Sequence, residues 1–407
     1  MGIKCLHISD MHLDSPFKNI TTHYPDLMEQ MKSATEKSVQ SLVQKAIDEQ
    51  VDIVLIVGDS FNSTKPNVRT QFFLKEQLEK LLAHHIHVVL CYGNHDYMGH
   101  QPLVNLPKDV YVLSSEVTQI TLHTHSGEIV DIYGFSYDTN HVTERKITRY
   151  PIHQNMTHYA IGMLHGYLEG SQSKEGVYAP FSIQELNDKH YDYWALGHIH
   201  KRMLLQEQPP IIYSGNVQGL NRHETGEKGA VLVSLNKGKP TQIEWVNTSK
   251  IQWNKIDYTI SKTHHFEQII TDISCIFETW ESDKTYLVSI TWHVHADVSP
   301  EILELLNTRE MKESLNKKHV YVIKEENVLQ DNSQKIMLND DVLNVWEDIR
   351  ERGVDESIYD EAMQSVFSQT KMRTLLPSLR SDEGLAETII KRAINRLALA
   401  LYKGGEE

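Results

Sequence analysis

The sequence predicts an α/β protein: a two-sheet β-sandwich flanked by helices, followed by a small α/β domain and a helical C-terminal region. Three observations carry this. From Ile3 to Cys91, apolar runs of strand length alternate with helical periodicity, the pattern of a parallel sheet with crossover helices. After Pro107 the pattern changes to short strands and turns, which predicts a second sheet packed on the first. Near Ser249 the register resets, and helical periodicity takes over from about Lys335. The expected boundaries are 1–250, 255–330 and 335–407.

Taken in order, Ile3–Ile8 reads as a buried strand and leads into Asp10-Met11-His12. Val39, Leu42, Val43, Ala46 and Ile47 fall on one helical face. Val51–Val57 is the next strand and ends in Gly58-Asp59. Pro66 precedes a helix carrying Phe72, Phe73, Leu78, Leu81 and Leu82. Ile86–Cys91 is the third strand, after which Gly93 lets the chain turn into Asn94-His95-Asp96. Second-sheet strands are expected at Val110–Leu113, Gln119–His123, Ile129–Tyr133 and Ala160–Leu164, the last closed by His165-Gly166. Tyr191–Leu196 leads into Gly197-His198-Ile199-His200, and Ile211–Tyr213, Ala230–Leu235 and Gln242–Val246 complete that sheet.

Gly170–Gly176 reads as a surface loop. In the small domain, a helix is expected near His265–Glu278, a strand at Tyr286–Trp292, a helix at Pro300–Asn316 and a strand at His319–Ile323. In the C-terminal region Leu338, Val342, Val345, Trp346 and Ile349 make one apolar stripe. Leu385, Ile389, Ala393, Leu397 and Leu401 make another, stopped by Gly404-Gly405.

Composition narrows the function classes. A chain of 407 residues, 40% hydrophobic and 23% charged, is ordinary globular material with room for two or three domains. No apolar run is long enough to cross a bilayer, and a strand begins almost at the N-terminus, so neither a membrane span nor a signal peptide is expected. Cys5, Cys91 and Cys275 are scattered, which reads as reduced thiols in a cytoplasmic protein without a Cys-x-x-Cys zinc pair. A formal net charge of −15 excludes nucleic-acid binding by bulk electrostatics alone. There is no Gly-x-x-x-x-Gly-Lys-Ser/Thr, so ATP hydrolysis is not expected.

Five short pieces stand out: Asp10-x-His12, Gly58-Asp59, Asn94-His95-Asp96, His165 and His198-x-His200. Each has a plain reading by itself; Asn94 and Asp96 suit a turn, for example. Each, however, directly follows a predicted strand, where open α/β sheets build their sites. Asp10, His12, Asp59, Asn94, His165, His198 and His200 offer oxygen and imidazole donors and no thiolate, a set suited to Mn, Fe, Zn or Mg. Seven donors are too many for one ion with an open position, but they suit two ions ~3.5–4 Å apart sharing a carboxylate. Asp59, with two oxygens and a middle place in the chain, is the natural bridge. Alternate residues of an extended segment point to opposite faces, so His198 and His200 are expected to serve different ions.

In this order the five pieces resemble the calcineurin-like metallophosphoesterase superfamily and, within it, the SbcD-type DNA repair exonucleases of the YhaO-like branch. The branch resemblance lies in Leu6-His7-Ile8-Ser9-Asp10-Met11-His12-Leu13-Asp14, Tyr213-Ser214-Gly215-Asn216-Val217-Gln218-Gly219 and Gly226-Glu227-Lys228-Gly229. It covers roughly the first 250 residues and implies the metallophosphoesterase fold with a capping domain. It also implies one ion held by Asp10, His12, Asp59 and His200, and a second by Asp59, Asn94, His165 and His198. His95 matches the catalytic histidine, which is not a metal ligand, and Asp96 would orient it. One position departs from the family: three residues past Asp59, where those nucleases carry His or Asp, this chain has Asn62, which cannot titrate but can still orient His95.

The activity so implied is a Mn-dependent 3′-to-5′ exonuclease on DNA ends with single-strand endonuclease action in DNA repair. An SMC-type ATPase of the SbcC kind would dock on the C-terminal helices through the Leu385–Leu401 stripe, and the catalytic domain would form a homodimer. Two other readings use the same residues: a phosphoesterase for small nucleotides or phosphoproteins, and a weakly active binding module in an ATPase complex. Glu144-Arg145-Lys146 to Arg149 is either a phosphate contact or a solvated face. Trp253, Trp280 and Trp292 either stack bases or fill cores.

Overall fold

The structure, a computed structural model, describes residues 2–17, 24–98, 104–170, 178–295, 298–306 and 308–330. The two C-terminal stripes and most of the Gly170–Gly176 loop lie outside the described residues. The described chain forms two compact units, one within residues 2–254, 281–288 and 317–323, the other within 255–280, 289–316 and 324–330.

The first unit begins with strands β1 (Ile3–Ser9), β2 (Ile53–Val57) and β3 (His87–Cys91), which run parallel. Helices α1 (Pro25–Asp48) and α2 (Val68–Ala83) are their crossovers. Proline suits the first turn of α1, where its missing N–H has no acceptor to lose. At α2 the Asn67 side chain accepts from the Thr70 N–H at 2.8 Å, closing the helix start. The two-residue β4 (Tyr111–Val112) adds to β3.

A second sheet follows: β5 (Thr118–His123), β6 (Ile129–Gly134), β7 (Tyr159–His165), β8 (Tyr193–Gly197), β9 (Met203–Glu207) and β10 (Pro210–Tyr213), in the order β5-β6-β7-β8-β10-β9. The short helix α3 (Ile183–Asn187) joins β7 to β8 behind a Ser182/Glu185 capping box.

The chain then returns to the first sheet. Strand β11 (Gly229–Leu235) pairs antiparallel with β1, and β12 (Gln242–Asn247) pairs with β11, giving the order β12-β11-β1-β2-β3-β4. The placement of Val110–Leu113, Ala230–Leu235 and Gln242–Val246 in the second sheet is therefore corrected. The physical reason shows in β11, which is buried on both faces. Val231, Val233 and Leu235 fill the core between the sheets, and Ala230 and Leu232 pack on the helix side. A doubly covered strand belongs to a sheet interior, and apolarity alone does not say which interior.

Three cores stack through this unit. Ile3, Cys5, Leu55 and Val89 meet Ile132, Ile161 and Ala195 between the sheets. Leu6, Ile56 and Leu90 meet Leu42 of α1 and Leu78 of α2 on one outer face. Tyr133, Phe135, Trp194 and Phe181 cover the other.

The second unit holds most of a three-stranded sheet, β13 (Ile251–Ile260), β14 (Thr285–His295) and β15 (Val320–Gln330), with α4 (Phe266–Glu278). Helix α4 buries Ile269, Ile273 and Phe277, one every fourth residue. The expected helix Pro300–Asn316 is two short ones, α5 (Pro300–Leu306) and α6 (Arg309–Leu315). Thr308 caps the second by accepting from the Met311 N–H, which starts a new helix instead of continuing the old one.

Candidate metal centre

The parallel registers place the strand ends level. Ser9 lies opposite Val57 and Val57 opposite Cys91, so the loops after β1, β2 and β3 leave from one edge. In the second sheet His165 lies opposite Gly197, bringing the loops after β7 and β8 together. The two edges meet because position 197 is glycine: a Cβ there would stand 2.1 Å from the Val57 carbonyl oxygen. Position 93 has the same requirement, since a Cβ would come within 2.3 Å of Asp59 Oδ1.

All seven predicted donors converge. His12 Nε2 lies 2.9 Å from His200 Nε2 and 3.7 Å from Asp59 Oδ2. On the other side of Asp59, His165 Nε2 is 3.4 Å from Oδ2 and 3.0 Å from Asn94 Oδ1, which is 3.2 Å from His198 Nδ1. Asp10, His12 and His200 present ligand atoms within 4.8 Å of one another, as do Asp10, Asp59 and His165. Asp10 also accepts from the His198 N–H at 3.1 Å and from Ser9 Oγ at 2.5 Å. His198 and His200 thus face different neighbours, the former Asn94 and the latter His12.

The local backbone is shaped for this. Asp10, His12, Asp59 and His198 have φ of 48°, 44°, 50° and 97°, the left-handed region. A non-glycine residue there costs on the order of 1–3 kcal/mol, and such residues cluster at functional sites.

Burial and charge shape the electrostatics. Burial raises the Asp10 carboxyl. Burial also acts upward on Asp59, but the imidazoles of His165, His12 and His95 outweigh it and hold the carboxyl well below its usual range. Burial pushes the His12 imidazole down to about 3. It acts downward on His165 too, where the Asp59 charge prevails and lifts the ring to about 9. His165 Nδ1 donates to the Val57 carbonyl at 3.1 Å, so Nε2 is the atom turned toward Asp59 and the cluster.

These residues fit a pair of divalent cations. Donors bound to one ion at ~2.0–2.2 Å stand roughly 3 Å apart, the spacing seen here. Two imidazole nitrogens facing at 2.9 Å are compatible only with a proton or a cation between them, and His12 Nδ1 is buried without a hydrogen-bond partner among the described residues.

His95 lies on the rim and is exposed, its ring 4.8 Å from that of His12. The roles expected around it change in two respects. Asp96 does not orient His95: its carboxylate accepts from the N–H groups of Gly93 (2.8 Å), Ser60 (2.7 Å) and Phe61 (3.3 Å), tying the β3 loop to the β2 loop. Burial, reinforced by the Asp59 charge, lifts Asp96 to about 7. The group that meets His95 Nδ1, at 3.0 Å, is the main-chain carbonyl of Asn62 and not its side chain.

Three partners were not anticipated. Glu224 Oε1 meets His200 Nδ1 at 3.0 Å, Tyr137 donates to the His165 carbonyl at 2.8 Å, and Ser214 joins Ser9 behind Asp10. The pairing of a carboxylate with the second histidine of His-x-His is a usual metal-site arrangement, but a glutamate in a polar loop carries no sequence mark of it.

The basic run offers little to a phosphate. Arg145 pairs with Glu185 and Glu169, Arg149 with Glu116 and Glu144, and Lys146 with Glu144. Trp253 and Trp292 are buried, while Trp280 packs beside Phe277.

Residues 3–202 match the family model described as calcineurin-like phosphoesterase. The chain is 38% identical over 263 residues to the uncharacterized metallophosphoesterase YhaO of Bacillus subtilis, covering 63% of this chain and 64% of that protein. It is 26% identical over 230 residues to the DNA double-strand break repair protein Mre11 of Methanocaldococcus jannaschii, covering 54% of this chain and 57% of that one. With the Mre11 of Sulfolobus acidocaldarius the identity is 23% over 351 residues, covering 80% and 85%. The first two matches thus span less than two thirds of those relatives' own length.

Proposed function

Residues 3–202 are a calcineurin-like phosphoesterase domain, and from that premise we propose that the chain is a two-metal phosphodiesterase acting on DNA ends. The observation that carries the reading is the sharing of Asp59: its Oδ2 faces His12 on one side and His165 on the other. Asp10, His12, Asp59 and His200 would hold one ion, and Asp59, Asn94, His165 and His198 the other, Mn being our choice among ions this donor set suits. When bound, such a pair supplies an activated water near neutral pH and neutralises charge developing on phosphorus.

The chain's own groups do the rest. His95 Nδ1–H donates a hydrogen bond to the Asn62 carbonyl, and the ring in its doubly protonated form would give its Nε2 proton to the departing oxygen and be left neutral. Asp96 fixes the loop that carries His95 by gripping three main-chain N–H groups. The buried ring of Tyr137, edge-on to His165 at 5.6 Å, closes the site from behind.

DNA is the substrate favoured by the two Mre11 relatives, whose names describe double-strand break repair. The second unit, read as a capping domain, supports a macromolecular substrate over a small one. We further propose 3′-to-5′ exonuclease polarity with single-strand endonuclease action, and an SbcC-like ATPase partner bound through the C-terminal residues. Protein purified with Mn should degrade end-labelled single- and double-stranded DNA; turnover of a chromogenic phosphodiester with intact DNA would instead favour a small-substrate phosphoesterase. Removing residues after Lys371 should abolish ATPase binding and leave small-substrate hydrolysis in place.

A further inference from the structure

We infer that Glu224 is the positioning residue of one half of the metal centre, its carboxylate fixing the ring of His200 as a ligand. The inference rests on the two-ion reading above. His200 Nδ1 stands 3.0 Å from Glu224 Oε1, and Nε2 of the same ring stands 2.9 Å from His12 Nε2. An ionised carboxylate only accepts, so Nδ1 donates, and the lone pair of the neutral ring falls on Nε2, the atom that faces the cluster.

The surrounding segment is built to hold that carboxylate. Oε1 also accepts from Asn221 Nδ2 at 2.7 Å. Oε2 accepts from Asn216 Nδ2 at 2.8 Å and from the Leu220 N–H at 2.8 Å. Lys228 Nζ donates to the His200 carbonyl at 2.8 Å, so the same stretch pins both the main chain and the ring of one ligand. Asn216 and Lys228 lie in the two runs, Tyr213–Gly219 and Gly226–Gly229, that carry the branch resemblance yet supply no metal donor. Their physical task is to anchor His200.

Among the described residues His12 and His165 have no such backing: His12 Nδ1 is buried without a partner there, and His165 Nδ1 rests on a neutral carbonyl. A carboxylate behind an imidazole makes it a stronger ligand, and its removal typically weakens metal binding 10–100-fold. The two ions are therefore unequally dependent on this segment. The ion shared by Asp10, His12 and His200 needs Glu224, whereas the one at Asn94, His165 and His198 does not.

The test is a Mn titration of the full-length protein read by electron paramagnetic resonance and by metal analysis, with circular dichroism as the folding control. Wild type should take two Mn ions and show a spin-coupled pair. Glu224→Gln, whose amide can turn a donor toward Nδ1, should bind the first ion normally, give a single-ion spectrum and need about 10–100-fold more Mn for the second. Arg222→Ala, at an exposed neighbouring position whose guanidinium donates to His223, should titrate like wild type. Four results would overturn the inference: a Glu224→Gln titration identical to wild type, equal weakening of both ions, an Arg222→Ala variant that behaves like Glu224→Gln, or a folded Glu224→Gln protein that loses both ions. A wild type that binds fewer than two ions would remove the two-ion reading itself.

Discussion

The Nε2 atoms of His12 and His200 meet at 2.9 Å although the two residues stand 188 positions apart in the chain. Neither ring could hold that place without a positive charge or a proton to share. The contact thus marks where the two sheets bring their loops to a common point.

Asp59 stands between both donor groups, so Asp59→Asn should lose both ions, not one. Metal analysis after gel filtration should fall from two ions per chain toward none. Phosphodiester hydrolysis should fall by at least ~10²–10³-fold, the usual loss when a preorganised electrostatic stabiliser is removed. A variant that kept one full equivalent of metal would show that Asp59 serves a single ion.

His95 touches the cluster only at its rim, so His95→Asn should keep both ions and lose turnover by ~10²–10⁴-fold, the usual range for a general acid. Because the group meeting Nδ1 is the main-chain oxygen of residue 62, Asn62→Ala should stay within about threefold of wild type, well inside the range set by the loss of a general acid. Steady-state rates at saturating Mn check both; wild-type turnover in the His95 variant would end its assignment.

Gly93→Ala would drive a methyl group to 2.3 Å from Asp59 Oδ1 and 2.8 Å from His165 Nε2. Since Asp59 and His165 are proposed ligands of the second ion, the variant should fold, with a circular dichroism spectrum like that of wild type, and bind Mn more weakly at that site. Unchanged Mn affinity would mean that the loop yields without disturbing the donors.

His7 predicts how stability depends on pH. Its ring is buried, with Nδ1 2.7 Å from the Tyr193 hydroxyl, and burial pushes it from 6.5 down to about 3. Above pH 6.5 the ring is neutral in both folded and unfolded chains and contributes no slope. Below 6.5 the unfolded chain takes up a proton that the folded one refuses, so stability falls as pH drops from 6.5 toward 3, by up to ~1.4 kcal/mol per unit. His7→Gln should show a flatter acid limb in urea unfolding at matched metal. Parallel limbs for the two proteins would show that His7 protonates in the folded state.

Much of the site is legible in the sequence. Asp10, Asp59, Asn94, His165 and His198 each follow an apolar run that can only be a buried strand, so their place at strand ends was local information. Three other features were not legible, for separate reasons. Strands β11 and β12 read as strands, but the sheet they join is set by what covers both faces of β11. Asp96 looks in sequence like a partner for its neighbour His95, whereas its oxygens satisfy N–H groups of another loop. Glu224 reads as one more charged loop residue until Asn216, Asn221 and His200 are seen around it.

The sequence by itself determined which chemical groups this protein offers and that they sit at the ends of strands, because both follow from residue type and short-range periodicity. Tertiary structure alone decided which atom of each group faces which neighbour: the carbonyl behind His95, the carboxylate behind His200, the shared oxygen of Asp59. Those pairings arise from the closure of two sheets at Gly197 and Val57, an event of packing between distant segments that no local pattern records.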